Sequence, residues 1–113
     1  MKYFELEEFN CQHSGENHMV PEFLEMLDNL REECGFPFVI TSGYRCSWHP
    51  VEMKKEKAGT HTGGIAADIK VNGGAQRYTL VQKALELGFT GIGVAKTFIH
   101  VDTRLDTPVI WSY

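Results

Sequence analysis

The sequence predicts an α+β fold in one compact domain, with a mainly antiparallel sheet and two principal helices. Its 113 residues suffice for one hydrophobic core but not for two, so we expect a single domain over residues 1–113. Two segments have apolar residues at helical spacing, and several short β-branched runs alternate in polarity. Polar loops separate these runs, and helices set to one side of such strands are typical of an antiparallel sheet.

The first predicted helix covers Pro21 to Cys34. Proline suits the first turn of a helix, and Gly35, directly after the segment, is a typical stop signal. The apolar residues recur at helical spacing and predict a buried stripe of Phe23, Leu27, Leu30 and Cys34. A strand is predicted next, from Phe36 to Thr41, because a proline near the start of a strand is tolerated.

Residues 47–60 are polar and are predicted to form a loop with one helical turn. The apolar, β-branched run from Ile65 to Val71 predicts a second strand. A second helix is predicted from Ala75 to Leu87, with Gly88 as its C-terminal cap. The positions expected to face the core are Leu80, Val81, Ala84 and Leu85.

The last predicted elements are the two strands of a hairpin, Thr90 to Ala95 and Thr97 to Thr103, joined around Lys96. Both runs are rich in β-branched or aromatic residues, and their short connection favours antiparallel pairing. Trp111 follows the hairpin, and we expect its large side chain to close over the core.

Charge and hydropathy argue against two classes of partner. A formal net charge of −4 and a pI near 5.7 are unlike a nucleic-acid-binding domain, which needs a basic surface. No apolar run reaches the length of a membrane span, and the first residues lack the pattern of a secretory signal. We therefore expect a monomer that is made in the cytoplasm and binds neither nucleic acid nor membrane.

Three cysteines, Cys11, Cys34 and Cys46, are an odd number without a Cys-x-x-Cys pair. They are typical of reduced thiols in a cytosolic protein rather than of a disulfide framework. The sequence Cys11-Gln12-His13 leaves a second metal site open, whereas a small core residue is the simplest interpretation of Cys34.

Two strand-like segments offer metal-binding side chains. His61 lies in a glycine-rich turn, and Asp68 follows where alternation directs it away from the buried face of its strand. In the second segment, the same alternation places His100 and Asp102 on one face, about 6–7 Å apart. Two imidazoles, one carboxylate and an open fourth position are typical of catalytic zinc, although each residue alone could be an ordinary surface group.

The motifs around these residues resemble the zinc D-alanyl-D-alanine peptidase superfamily, in particular the small M15-type peptidases of bacterial and phage peptidoglycan hydrolases. Three motifs carry the resemblance: Ser42-Gly43-Tyr44-Arg45-Cys46, the His-x-x-Gly-x-Ala-x-Asp run that ends at Asp68, and Phe98-Ile99-His100-Val101-Asp102. The opening Phe4-x-x-x-Glu8-Phe9-x-Cys11 is also similar, so the resemblance extends from about Phe4 to Trp111.

This resemblance implies a fold shared with hedgehog signalling domains and Zn²⁺ as the cofactor. The implied ligands are His61, Asp68 and His100. The implied reaction is hydrolysis of D-alanine-containing peptide bonds of peptidoglycan or its precursors, as a carboxypeptidase or an endopeptidase. The metal would polarise the scissile carbonyl and activate the attacking water.

The resemblance also implies roles for residues beside the metal. Arg45 would bind substrate and stabilise the developing oxyanion, unless it is a surface arginine paired with an acid. Ser42, Tyr44 and His49 are expected to shape or contact the substrate site, although Tyr44 could belong to the core and His49 to a solvated loop. The hydroxyl of Thr60 would suit a hydrogen bond behind a ligand histidine.

The general base is the point at which this sequence departs from the family. Many relatives have an acidic residue three positions before the last ligand histidine, and here that position is Thr97, which cannot accept a proton. Asp102 is the first replacement, with Glu52 or Glu56 behind it. Asp102 could equally fix the tautomer of a ligand histidine.

The function classes stay open at this point. One is a zinc peptidase that acts on a peptidoglycan peptide, made without a signal and released to the cell wall by phage lysis or carried in a virion. The second is a metal-bearing but catalytically inactive binding or structural module, for example one associated with a phage tail. The third is a metal-dependent hydrolase of another substrate, because fold and ligands do not fix the chemistry.

Overall fold

The computed structural model describes residues 1–53 and 59–113, without the side chains of Glu52 and Met53. The chain begins with a short 3₁₀ helix, Leu6–Phe9, and contains three α-helices and five strands in these ranges. The helices are α1 (Pro21–Cys34), α2 (Pro50–Met53) and α3 (Gly73–Leu87), and the strands are β1 (Ile40–Ser42), β2 (Ala66–Lys70), β3 (Gly91–Val94), β4 (Phe98–Asp102) and β5 (Val109–Ser112). This arrangement confirms the predicted α+β class with two principal helices.

The five strands form one mixed sheet in the order β1-β2-β4-β3-β5. Three of the pairs are antiparallel, whereas β3 and β5 run parallel. In the central pair, Asp68 lies opposite His100 and Ala66 opposite Asp102. The polar residues of β2 and β4 therefore meet on one face of the sheet, because neighbouring residues along each strand point to opposite faces.

The other face of the sheet packs against α1 and α3 and forms the hydrophobic core. The α1 stripe is buried as predicted at Phe23, Leu27 and Leu30, and Cys34 is half-buried. Gly35 ends α1 in the left-handed conformation, at φ 74°, where its N–H bonds to the carbonyl of Arg31. The sheet contributes apolar residues from its odd-numbered positions on β2 and β4: Ala67, Ile69, Ile99 and Val101.

Two sequence predictions about secondary structure are wrong. The first strand begins at Ile40 rather than Phe36, because Pro37 has no N–H to donate and Phe36 and Phe38 pack against each other instead. The chain end is also a strand, β5, which the sequence analysis did not predict. Trp111 lies in β5 with its ring 5.0 Å from the His100 ring, so it covers the polar face of the sheet rather than the core.

One prediction about burial is also corrected. Leu85 was expected to face the core but is half-exposed, because α3 buries only the narrow stripe containing Leu80 and Ala84. Asp68 lies on the face opposite the core as predicted, yet only 5% of it is exposed. Its burial results from the residues that surround it on that face. No helix among the described residues combines the length and hydrophobicity of a transmembrane span.

Candidate active site

Three side chains converge on the polar face of the sheet with their ligand atoms almost equidistant. His100 Nδ1 lies 3.0 Å from Asp68 Oδ1, His61 Nε2 lies 3.2 Å from the same oxygen, and the two nitrogens are 3.2 Å apart. Ligands about 2.0–2.1 Å from a tetrahedral zinc ion would be about 3.3 Å from one another. The three atoms therefore match three corners of such a coordination shell, and among the described residues they form the one group of this kind.

The fold brings these three residues together from separate elements. Asp68 on β2 and His100 on β4 face each other because they are direct partners in the antiparallel register. His61 precedes β2 in a tight turn closed by hydrogen bonds from Gly63 N–H to the Gly59 carbonyl and from Gly64 N–H to the His61 carbonyl. Gly64 has φ +74°, and a Cβ there would overlap the His18 carbonyl. The turn therefore requires glycine at this position.

Each histidine is oriented by a hydrogen bond from the nitrogen that does not face the other ligands. His61 Nδ1 lies 2.7 Å from the Gly43 carbonyl, and His100 Nε2 lies 2.7 Å from Asp102 Oδ2. Because both partners are acceptors, these nitrogens carry the protons. When the imidazoles are neutral, the lone pairs of His61 Nε2 and His100 Nδ1 are directed at the shared position, as metal binding requires.

The electrostatics of the three residues fit a cation. Burial alone would raise the pKa of Asp68, but hydrogen bonds from His100 and His61 outweigh it and hold that pKa well below its usual range. Burial alone would lower the pKa of His100, but hydrogen bonds to Asp102 and Asp68 raise it. A buried carboxylate thus draws positive charge to this point, and a divalent ion supplies that charge with neutral imidazoles.

Asp102 lies behind His100 rather than in the cavity beside the ligands. It is fully buried, and its carboxylate accepts hydrogen bonds from the backbone N–H and the guanidinium of Arg104 as well as facing His100 Nε2. Burial alone would raise its pKa, but the bonds with His100 and Arg104 lower it. This geometry favours the second sequence interpretation, in which Asp102 fixes the tautomer of a ligand histidine.

Arg45 lies beside the ligand group. Its terminal nitrogen is 3.3 Å from Asp68 Oδ2, and its Nε donates to the Ser42 hydroxyl at 3.1 Å. The guanidinium is therefore held against the outer oxygen of the carboxylate whose other oxygen faces the two histidines. Ser42 acts on the site through Arg45.

The other predicted substrate contacts divide into two groups. Thr60 lines the cavity next to His61. Tyr44 is buried, its ring packs edge-on against His18 at 5.0 Å, and burial raises its pKa. His49 has its ring 6.2 Å from that of His13 and accepts the Val51 N–H. Neither Tyr44 nor His49 is among the described residues that line the cavity.

A cavity of about 650 Å³ opens over the ligand group. Its described walls include both ligand histidines, Arg45 and five residues from the C-terminal segment: Arg104, Leu105, Asp106, Trp111 and Tyr113. Arg104 lies 5.0 Å from the Trp111 ring, a cation–π distance, so one arginine links Asp102 to the cavity wall.

Sequence reasoning missed the C-terminal wall of the cavity. A charged residue in a loop, such as Arg104 or Asp106, has no periodic pattern that separates it from a solvated one. A weak signal does exist, because Asp102 and Arg104 are two residues apart, as are Trp111 and Tyr113. That spacing places each pair on one face of an extended segment.

The question of the general base also involves Thr97, Glu52 and Glu56. Thr97 is exposed and does not line the cavity. Glu56 and the side chain of Glu52 lie outside the described residues. Among the described residues that line the cavity, Asp106 is the one carboxylate.

Comparison with known proteins identifies a family for this chain. A family model described as Peptidase M15 matches residues 2–102. The match includes all three candidate ligands and Arg45, and it ends at Asp102, before the C-terminal wall of the cavity. A search of the curated proteins found no match.

Proposed function

This chain belongs to the peptidase M15 family, and from that premise we propose that it is a zinc-dependent peptidase for D-alanine-containing peptide bonds of peptidoglycan or its precursors. The observation that supports this most is the approach of three ligand atoms to within 3.0–3.2 Å beside a cavity of about 650 Å³. Only three protein ligands converge in the described part of the chain, which leaves a coordination position for water or substrate, as catalytic zinc requires.

His61, Asp68 and His100 would hold the ion. Bound zinc supplies a Lewis acid for the scissile carbonyl and lowers the pKa of a water molecule towards about 7, so that attack becomes possible at neutral pH. The protein's part is to keep the two imidazoles in the metal-binding tautomer, through the Gly43 carbonyl and Asp102.

Arg45 would position the substrate. A guanidinium forms paired hydrogen bonds with a carboxylate, so Arg45 suits the C-terminal carboxylate of a D-alanyl peptide. In an endopeptidase, the same cation would stabilise the negative charge that develops on the carbonyl oxygen. Ser42 keeps the guanidinium in place through its hydrogen bond to Nε.

A carboxylate must take the proton of the attacking water, and Asp106 is our first candidate. It lines the cavity, whereas both oxygens of Asp102 already accept hydrogen bonds. Glu52 and Glu56 are the alternatives from the sequence. Parallel assays of Asp106→Asn, Glu52→Gln and Glu56→Gln identify the base, because its loss lowers kcat about 10²–10⁴-fold while zinc stays bound.

One observation favours a second candidate function, a metal-bearing binding module without catalytic activity. Thr97 stands where many relatives have their acidic residue, and Asp102 is fully engaged by His100 and Arg104. A protein of this kind would bind zinc and a cell-wall peptide without cleaving it. Attachment to a phage tail is one setting in which such binding would be useful.

The decisive experiment is incubation of the purified protein with D-alanyl-terminated muropeptides. We expect peptide cleavage that stops when a chelator removes the metal and returns when zinc is added. His61→Ala should abolish cleavage and zinc binding at this site, because it removes a ligand. His18→Ala is the matched control, since His18 is an exposed histidine outside the ligand group.

The outcomes separate the candidate functions. Cleavage that continues unchanged after complete metal removal contradicts the zinc mechanism. Stoichiometric zinc binding and muropeptide binding without any cleavage would instead support the inactive module. Cleavage confined to peptides without D-alanine would leave the metal chemistry intact and correct the substrate.

A further inference from the structure

A second group of metal-binding side chains lies outside the candidate active site. It contains Cys11 and His13 from the N-terminal segment and Cys46 and His49 from the turn that follows Arg45, with spacings Cys-x-His and Cys-x-x-His. We refer to these four residues as the cysteine–histidine cluster. Both thiols are 2% exposed, and both are free.

The backbone holds the two halves of the cluster against each other. Tyr44 N–H donates to the Phe9 carbonyl at 2.8 Å, and a Cβ at Gly43 would lie 2.6 Å from the Phe9 Cα. His49 N–H donates to the Cys46 carbonyl at 3.0 Å, which closes a tight turn between the two ligand types. The positions of both cysteines are thus fixed by chain packing before any ion binds.

One distance between ligand atoms of the cluster is close to that of a zinc site. Cys46 Sγ lies 3.8 Å from His13 Nδ1, whereas a sulfur and a nitrogen on one tetrahedral zinc would be about 3.6 Å apart. The Cys46 N–H points at Cys11 Sγ over 3.3 Å.

We propose that Cys11, His13, Cys46 and His49 bind a structural zinc ion distinct from the catalytic one. Two thiolates and two imidazoles make a closed tetrahedral set, and soft sulfur ligands select zinc over magnesium or calcium. His13 is exposed and gives the ion a path of entry. The site ties the N-terminal segment to the turn directly after Arg45, and so fixes the residue assigned to the substrate.

Binding requires the ligand atoms of the cluster to move closer together. Among the described residues, the active-site group is the one set whose ligand atoms already lie within 4.8 Å of one another. His49 has the furthest to move, because its Nδ1 accepts the Val51 N–H at 3.2 Å and its ring is 6.2 Å from that of His13. Two imidazoles on one zinc would have ring centres about 5 Å apart, so the His13 and His49 rings must approach each other by about 1 Å.

Cobalt titration of the reduced, metal-free protein tests the proposal. Co²⁺ replaces zinc and produces a sulfur-to-metal charge-transfer band only where thiolates bind it. We expect two equivalents of Co²⁺ per chain and this band. Cys46→Ser and His13→Ala should each remove or strongly weaken the band and the binding of one equivalent, whereas Cys34→Ser and His18→Ala should leave both unchanged.

The His61→Ala variant distinguishes metal binding by the cysteine–histidine cluster from metal binding in the candidate active site. His61→Ala should lose one equivalent and keep the thiolate band, so failure of the proposed peptidase function would not remove this signal. His13 is exposed, so His13→Ala provides a variant whose folding is not at risk if Cys46→Ser unfolds. A single equivalent without the band, or a Cys11–Cys46 disulfide with only one titratable thiol in freshly purified protein, would overturn the proposal.

Discussion

Gly91 and Gly93 leave the space that two residues of the site occupy. A Cβ at Gly91 would overlap the Asp102 carboxylate, and one at Gly93 would lie 2.8 Å from the Trp111 ring. The strand β3 pairs with β4 on one side and β5 on the other, so its backbone cannot move away without breaking hydrogen bonds. The absence of side chains on this face is therefore a requirement of the site.

Substitution of Gly91 by alanine should displace Asp102 and weaken both the fold and zinc binding. We expect the free energy of unfolding to fall by about 1–3 kcal/mol, as for other overpacked positions. Gly74→Ala is the matched control, because a Cβ there meets nothing within 4 Å and alanine favours the helix. Chemical denaturation of both variants measures the difference, and equal stabilities would contradict the assigned role of Gly91.

Replacement of Asp102 by asparagine tests its role behind His100. The amide cannot hold the imidazole proton as the carboxylate does, so we expect zinc affinity to fall about 10–100-fold. Competition with a chromophoric chelator measures this affinity. Asp28→Asn is the control, because the Asp28 carboxylate accepts hydrogen bonds from the backbone N–H groups of Lys2 and Tyr3 and is not part of the candidate metal site. Unchanged affinity in Asp102→Asn would exclude the orienting role.

At the level of single residues, alternation along the two strands was enough to predict which polar side chains share a face. Asp68, His100 and Asp102 lie on that face, because their register is fixed by the apolar residues between them. The roles of Asp102 and Arg104 could not be predicted in the same way. They depend on which oxygen faces which nitrogen, a matter of side-chain geometry that spacing does not contain.

Among the secondary-structure elements, β5 has the clearest effect on the site. It pairs in parallel with β3 and carries Trp111 to within 5.0 Å of the His100 ring. Most residues of β5 are exposed, so the strand lacks the alternation of buried and exposed positions by which a strand is predicted from sequence. By contrast, both ends of α1 were predicted correctly, because Pro21 and Gly35 are local signals for the start and the end of a helix.

Trp111→Ala should widen the cavity beside the candidate metal site without removing a ligand. We expect KM for a short D-alanyl peptide to rise about tenfold, equivalent to ~1.4 kcal/mol of lost binding, with little change in zinc affinity. Ile110→Ala is the control, because Ile110 is the neighbouring exposed residue that points to the other face of β5. A parallel loss in both variants would indicate damage to β5 as a whole.

For the whole molecule, zinc binding should appear as added stability. The ion binds only the folded chain, because the ligand residues are far apart in the sequence and meet only after folding. At a free zinc concentration of 100 times the Kd, binding should therefore add about 2.7 kcal/mol to the free energy of unfolding. For a domain of this size, that corresponds to a rise in Tm of about 10 °C. Differential scanning fluorimetry with zinc and with chelator measures the rise, and identical melting in both would contradict a metal site.

The pH dependence of the metal-free protein follows from the same group. The pKa values of Asp68 and Asp102 are lowered by folding, so their contribution is present above about pH 4 and is lost in acid. The pKa of His100 is raised, so its contribution is complete below about pH 6.5 and is lost as the pH rises through the folded value. We expect maximum stability between these limits.

Zinc should counteract the loss of folding stability that the metal-free protein shows as the pH rises. The ion displaces the proton on the ligand face of His100, so the stabilisation by zinc should increase from pH 5 to pH 8. Melting curves at matched free zinc test this, with the metal-free protein as the reference. A stabilisation that decreases over that range would contradict ligation by His100.

The overall architecture was predictable from length, periodicity and loop signals, which are local or additive properties of the chain. The sheet order and the cavity were not, because they depend on long-range pairing of segments that carry no mutual signal in a single sequence. The C-terminal wall illustrates this difference. It lines the same cavity as His61 although the two are separated by more than 40 positions in the numbering.

The hydrogen bond between Arg45 and Asp68 makes occupancy of the cavity and retention of the ion interdependent. A ligand in the cavity that pairs with the Arg45 guanidinium weakens its hydrogen bond to Asp68, and this changes the charge on the carboxylate that would bind the ion. A bound ion, in turn, changes how strongly Asp68 attracts the Arg45 guanidinium. Reciprocity requires that each binding event alter the other by the same factor. Loss of the metal would thus change the affinity of the cavity for its ligand, and a bound ligand would change the affinity for the metal.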